Sequence, residues 1–157
     1  MSDFTVTSPA FREGGAIPKA HAQNGDNRSP PLDVAGLPAG TVSLAVIMDD
    51  ITREDRPVNG WALWNIPPVA QVPAGVPAEP NVQTLGGAVQ SGAYHNHAYH
   101  GPKRVRFGGA RTYRFTVYAL DAVIARPPTA LAAEFLETAE GHILARAALT
   151  GTYRDGA

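Results

Sequence analysis

Thr41-Val42-Ser43-Leu44-Ala45-Val46-Ile47-Met48-Asp49 is the stretch on which the fold turns. Val42, Leu44, Val46 and Met48 share one face of an extended chain, and Ala45 and Ile47 share the other, so both faces are apolar. Such a strand is buried on both sides and lies in the middle of a sheet. Its far end carries Asp49 and Asp50 into the loop Thr52-Arg53-Glu54-Asp55-Arg56. Working outward, Trp61-Ala62-Leu63-Trp64-Asn65-Ile66 reads as a second strand, stopped by Pro67-Pro68. Thr112 to Asp121 is the strongest strand signal, with Tyr113, Phe115 and Val117 on one face against Thr116 and Tyr118 on the other. His142 to Tyr153 returns to strand character. Between them, Thr129 is a suitable N-cap for a short helix with Leu131, Phe135 and Ala139 at i, i+4 and i+8, and Gly141 is placed as its C′ residue. Phe11 to Gly40, Val69 to Pro80 and Leu85 to Ala88 are dense in turn formers and read as ordered loop and connection. The expectation is a mostly β fold of four or five strands and one confident helix.

Composition sets the outer limits. A chain of 157 residues suits one domain over residues 1–157, and 16 glycines plus 14 prolines are too many for a helix bundle. With 44% hydrophobic and 17% charged residues there is material for a core and too little charge to stay unfolded. A net charge of −1 supplies no surplus of cations for a phosphate backbone, so nucleic acid is not expected as the partner. No apolar run reaches the roughly 18 residues of a membrane span, and Met1-Ser2-Asp3-Phe4 lacks the basic start of a signal peptide. No membrane insertion and a cytoplasmic location are therefore expected. Zero cysteines exclude disulfides and thiolate chemistry. The partner expected is a small molecule, and a homodimer is as compatible with these numbers as a monomer.

Several fragments, taken in order, resemble the phosphatidylethanolamine-binding protein family in its bacterial and archaeal Raf-kinase-inhibitor-like branch. They are Asn27-Arg28-Ser29-Pro30-Pro31-Leu32, Ser43 to Asp50, Trp64-Asn65-Ile66-Pro67-Pro68, Tyr99-His100-Gly101-Pro102, Tyr113 to Asp121, and Glu140-Gly141-His142-Ile143-Leu144-Ala145 running on to Gly151-Thr152-Tyr153. The resemblance spans about residues 11 to 153. It implies an antiparallel β-sandwich with a large central sheet, a smaller second sheet, one or two short peripheral helices, long ordered loops and a small anion pocket at one end of the sheet. It also implies departures within that pocket. The family's Asp-Pro-Asp-x-Pro loop keeps only its first Asp, as Asp50-Ile51-Thr52-Arg53-Glu54, and its two pocket histidines fall on Gly60 and Arg111. Meanwhile Tyr94-His95-Asn96-His97-Ala98-Tyr99-His100 holds three of the five histidines. The reading is a pocket rebuilt for another ligand or reaction.

The ligand-binding candidates are Asp50, Trp61, His95, His97, Tyr99, His100, Gly101, Pro102, Arg111 and Tyr113. Asp50 ends an apolar strand, where a carboxylate needs hydrogen bonds or a wet cavity; its bland role is to cap loop amides. Arg111 offers a planar donor fork for carboxylate or phosphate, or else a salt bridge to Asp50 that fills the pocket and lowers the carboxyl pKa. His95, His97 and His100 have H-x-H-x-x-H spacing, compatible with a metal ion but also with solvated loop histidines, and no metal or cofactor is assigned. His100 precedes Gly101-Pro102, which the resemblance places in the pocket wall. Tyr113 matches a pocket tyrosine of the family. Tyr94 and Tyr99 suit either core or wall, and a core role suits at least one of Trp61 and Trp64. Lys103-Arg104-Val105-Arg106 reads as a solvated basic run first and a charge guide second. The function expected is binding of a small anionic or polar molecule. The alternative is an enzyme of specialised metabolism doing acid–base or cyclisation chemistry with Asp50, His100 and Arg111 as its catalytic residues. A third reading, a module modulating a kinase or protease, rests on the resemblance alone.

Overall fold

The computed structural model describes residues 3–92, 96–103 and 109–154. Among the described residues ten strands run in chain order as β1 (Thr5–Thr7), β2 (Gly15–Ala16), β3 (Leu32–Ala35), β4 (Ser43–Asp50), β5 (Val58–Ile66), β6 (Gln71–Val72), β7 (Asn81–Val82), β8 (Ala88–Gln90), β9 (Arg111–Leu120) and β10 (Ile143–Tyr153), with one α-helix, α1 (Ala132–Ala139). Seven strands form one sheet in the order β2-β10-β9-β4-β5-β8-β7, and β1-β3-β6 form a second. Every pairing is antiparallel except the short one between β2 and β10. The fold is thus the mostly β, two-sheet architecture expected.

The doubly apolar pattern of β4 has a direct structural cause. Flanked by β9 and β5, it turns Leu44, Val46 and Met48 to the front face, where they pack with Phe115, Val117 and Leu63 against Leu32, Val34 and Val72 of the small sheet. Ala45 and Ile47 face the back, in a second core with Trp64, Tyr118 and the α1 residues Phe135 and Ala139. Trp64 stacks on Phe135 with ring centroids 5.1 Å apart. Truncating such a buried aromatic typically costs about 3–5 kcal/mol, so both cores stabilise the sheet that carries the site.

Three expectations are corrected. Val42 lies ahead of β4 and is 48% exposed, because the strand begins one residue later. The helix starts after Leu131, not Thr129: Glu134 Oε1 reaches back to accept the Leu131 amide at 2.9 Å, which supplies one half of a capping box. Leu131 is consequently 49% exposed, while Ala132, Phe135 and Ala139 turn inward and Gly141 (φ 86°) ends the unit. The segments read as loop also contain β2, β3, β6 and the first residue of β8, and β7 lies between two of them, all strands of two to four residues. Runs that short carry no measurable alternation.

Candidate functional site

The last residue of β4 and the first residues of β5 and β9 meet at one end of the large sheet. Asp50 stands opposite Val58 on β5 and Tyr113 on β9. Since β4 and β9 alternate in phase, Asp50 and Tyr113 share the front face with Met48 and Phe115, while Asp49 and Arg114 share the back. On the front lies a hollow of about 210 Å³, walled by Gln23, Asp50, His100, Gly101, Lys103, Tyr113 and the start of β5.

The 96–103 loop is pinned by contacts distant in sequence. Asn27 donates from Nδ2 to the Tyr99 carbonyl at 3.0 Å and accepts the Gly101 amide on Oδ1 at 3.0 Å. Gln23 donates its amide to the Pro102 carbonyl at 2.7 Å and its side chain to the Gly101 carbonyl at 2.9 Å. On the other side the His100 amide donates to the Gly60 carbonyl at 2.9 Å. That approach explains the glycine: a Cβ at position 60 would stand 2.6 Å from the His100 carbonyl oxygen and 3.0 Å from Met48 Cε. The loop occupies the space a side chain on β5 would need.

The Asp50 carboxylate is closely held. Arg111 Nε donates to Oδ2 at 2.8 Å and the Thr52 amide donates to Oδ1 at 2.9 Å, with the Asp50 side chain 13% exposed and that of Arg111 30%. Burial alone would raise the Asp50 pKa, but the hydroxyl and amide of Thr52 and the Arg111 guanidinium together hold it below its usual value. Arg111 is pushed up in turn, first by its hydrogen bond to Asp50. Burial, and then the Asp50 charge, raise the Tyr113 phenol, against a hydrogen bond from the Lys103 backbone. His100 donates Nε2–H to Asn96 Oδ1 at 2.7 Å, and burial lowers its pKa, which favours the neutral imidazole.

Of the residues singled out in the sequence, the structure brings Asp50, His100, Gly101 and Tyr113 together at the hollow. Arg111 is attached to it through Asp50 rather than lining it. Pro102 is buried behind the wall. Trp61 and Tyr99 sit in the front core with their rings edge to face at 5.3 Å. Their polar tips are bonded inside the fold, Trp61 Nε1–H to Gln90 Oε1 at 2.7 Å and Tyr99 O–H to the His21 carbonyl at 2.8 Å. His97, with φ 46°, bonds the Gln90 carbonyl at 2.9 Å and packs its ring on Gly92. Tyr94, His95 and the Arg104–Arg106 part of the basic run lie outside the described residues. Among the described residues no group of three His, Asp or Glu side chains could hold a metal ion. Sequence reading missed Gln23 and Val58; the only available signal was the Asn24-Gly25-Asp26-Asn27 turn, which places its residues nowhere in particular.

Two sheets packed face to face, with a polar hollow where the central strands end, define the class of protein. The chain belongs to the phosphatidylethanolamine-binding protein family, whose model matches residues 7–154. A UPF0098 protein of Methanothermobacter thermautotrophicus is 37% identical over 98% of this chain and the whole of that one. Among solved structures, the Chlamydia trachomatis PEBP homologue CT736 superposes with a TM-score of 0.83 at 31% identity, covering 98% of each chain. Escherichia coli YbcL superposes with a TM-score of 0.84 at 25% identity, covering 98% of this chain and 99% of its own. A Mycobacterium tuberculosis relative, 30% identical over 96% of this chain and 72% of its own, carries the provisional name lipoprotein LppC. No helix among the described residues is long and apolar enough to cross a membrane.

Proposed function

We propose that this chain binds a small anionic or polar molecule in the hollow at the end of the large sheet. The observation that carries the reading is the charge balance of the wall. Arg111 already answers the Asp50 carboxylate at 2.8 Å and His100 is neutral, so Lys103 leaves the wall with a positive surplus. A volume of about 210 Å³ is that of roughly seven waters in the liquid, enough for a phosphate or a short carboxylate. Arg111 acts here as a counter-ion that keeps Asp50 from repelling an anion. Because Gly60 and Arg111 stand where the family's pocket histidines are expected, phospholipid itself is not the ligand we favour.

Calorimetry with a panel of phosphates and short carboxylates tests this. Arg111→Ala leaves an unanswered carboxylate in the wall and weakens anion binding by about tenfold. Weak binding across the whole panel, unchanged in the variant, rejects the reading.

A second reading is favoured by the neutral imidazole at the rim: an enzyme of specialised metabolism in which His100 takes a proton and Arg111 steadies developing negative charge. A bell-shaped pH–rate profile lost in His100→Ala supports it, and full turnover in the Asp50, His100 and Arg111 single variants removes it. The cytoplasmic location belongs with these proposals, and the lipoprotein name of one relative marks the alternative to test by fractionation.

A further inference from the structure

The back face of the large sheet carries a second polar concavity that shares no residue with the hollow. On β9 the alternation that sends Tyr113 forward sends Arg114, Thr116 and Tyr118 to the back. β10 adds Arg146 in register with Tyr118 and Ala148 in register with Thr116. Together with Ala147 they line an open trough of about 440 Å³, bordering the part of the face that packs against α1, to which Tyr118 also belongs.

Its two arginines are rooted at opposite ends. Arg114 lies four residues along β9 from Tyr118, the partner of Arg146, so at about 3.3 Å per residue their backbone positions are roughly 13 Å apart along the strands, and both act on the Tyr118 phenol between them. Small residues, Thr116 and Ala148, form the floor between them. Neither cation is answered as Arg111 is. Arg114 Nη2 is 3.9 Å from Asp49 Oδ2, beyond hydrogen-bonding reach, and Asp49 also accepts from Asn59 Nδ2 at 3.1 Å. Arg146 is exposed and has no acidic partner among the described residues. Its guanidinium lies over the Tyr118 ring, 5.5 Å from the centroid, a contact that orders the side chain and leaves its charge intact.

The geometry points to a second ligand site on the back face, a trough that takes an elongated small molecule with an anionic group at each end, one held by Arg114 and the other by Arg146. Guanidinium forks suit phosphate and carboxylate alike, and the Thr116 hydroxyl offers a hydrogen bond to the middle of the ligand. A single small anion reaches one arginine and gains only one contact.

The test is a low-salt titration of the whole chain with fructose 1,6-bisphosphate and with suberate as two-ended probes, and with inorganic phosphate as the one-ended control. The concentration dependence of the amide shifts on the back face gives the affinity there, separately from the front hollow, which takes phosphate as well. At the back face a two-ended probe is expected to bind at least about tenfold more tightly than phosphate, because the second contact is intramolecular. Its shifts should centre on Thr116, Tyr118 and Ala148. Arg114→Gln and Arg146→Gln should each remove most of that advantage, and Arg146→Lys should keep more of it. If bisphosphate gains over phosphate and suberate does not, the ligand is a phosphate ester; the reverse makes it a dicarboxylate. The site is overturned if neither two-ended probe outdoes phosphate at the Thr116, Tyr118 and Ala148 amides, if only one arginine matters, or if those amides do not move.

Discussion

Two carboxylates leave β4 side by side, and the sheet gives each an arginine from β9. On the front, Asp50 and Arg111 meet at 2.8 Å with side chains 13% and 30% exposed; on the back, Asp49 and Arg114 stand 3.9 Å apart at 20% and 43%. The residue types are the same and the strands are the same. What differs is surroundings: the front pair is tied down by Thr52 and shielded by the 96–103 loop, whereas Asp49 accepts from Asn59 on Oδ1 and its Oδ2 stands 3.9 Å from an Arg114 that is largely open to solvent. The front pair therefore cancels its charge and shapes a hollow, and the back arginine keeps its charge for whatever comes near.

The largest effect expected comes from breaking the shield. Gly60→His puts a Cβ 2.6 Å from the His100 carbonyl oxygen, a backbone atom that cannot swing aside, and should cost about 1–3 kcal/mol of stability in urea unfolding. A neutral result means the loop moves freely and the front face is not pre-formed. Next is the pair itself. Asp50→Asn should cost about 1–2 kcal/mol by the same measurement, since Arg111 loses a partly buried charged partner. Asp49→Asn, whose partner is distant and wet, should stay within about 0.5 kcal/mol. Equal costs would erase the distinction between the faces.

The pH dependence sharpens it further. Asp50 has a folded pKa below its usual 3.8, so its stabilisation is present above that value and is lost as the pH falls through the lower folded value. Thermal melts from pH 5 downward should show a shallower acid limb in Asp50→Asn than in the wild type. His100 is also depressed below 6.5, by burial, so the fold favours its neutral form and is weakened as the pH falls through the folded value. An NMR titration of the His100 ring should give a midpoint below 6.5, and one at or above it contradicts the burial argument.

The sequence made the long strands legible, because eight to eleven residues of β4, β9 and β10 are enough for the pattern to show, with two buried faces in β4 and a single inward face in β10. The strands of two or three residues exist only through their partners and left no local trace. Likewise Asp50 was legible as a carboxylate at a strand exit, and Tyr113 only through its match to a pocket tyrosine of the family; that the two stand side by side comes from the register of β4 and β9. Gln23 was not, because its place in the wall is set by hydrogen bonds to residues 78 and 79 positions later. Trp61 and Tyr99 show the converse. Their polar tips resemble ligand contacts on paper, and only the fold reveals Gln90 and His21 as the groups they bond.

Backbone amide shifts on adding inorganic phosphate at low salt test the central reading most directly. The account predicts that the amides of Thr52, Gly60, Gly101 and Lys103 move together and saturate along one curve, and that Arg111→Ala suppresses all four. Shifts that bypass these amides, or that persist undiminished in Arg111→Ala, would contradict it.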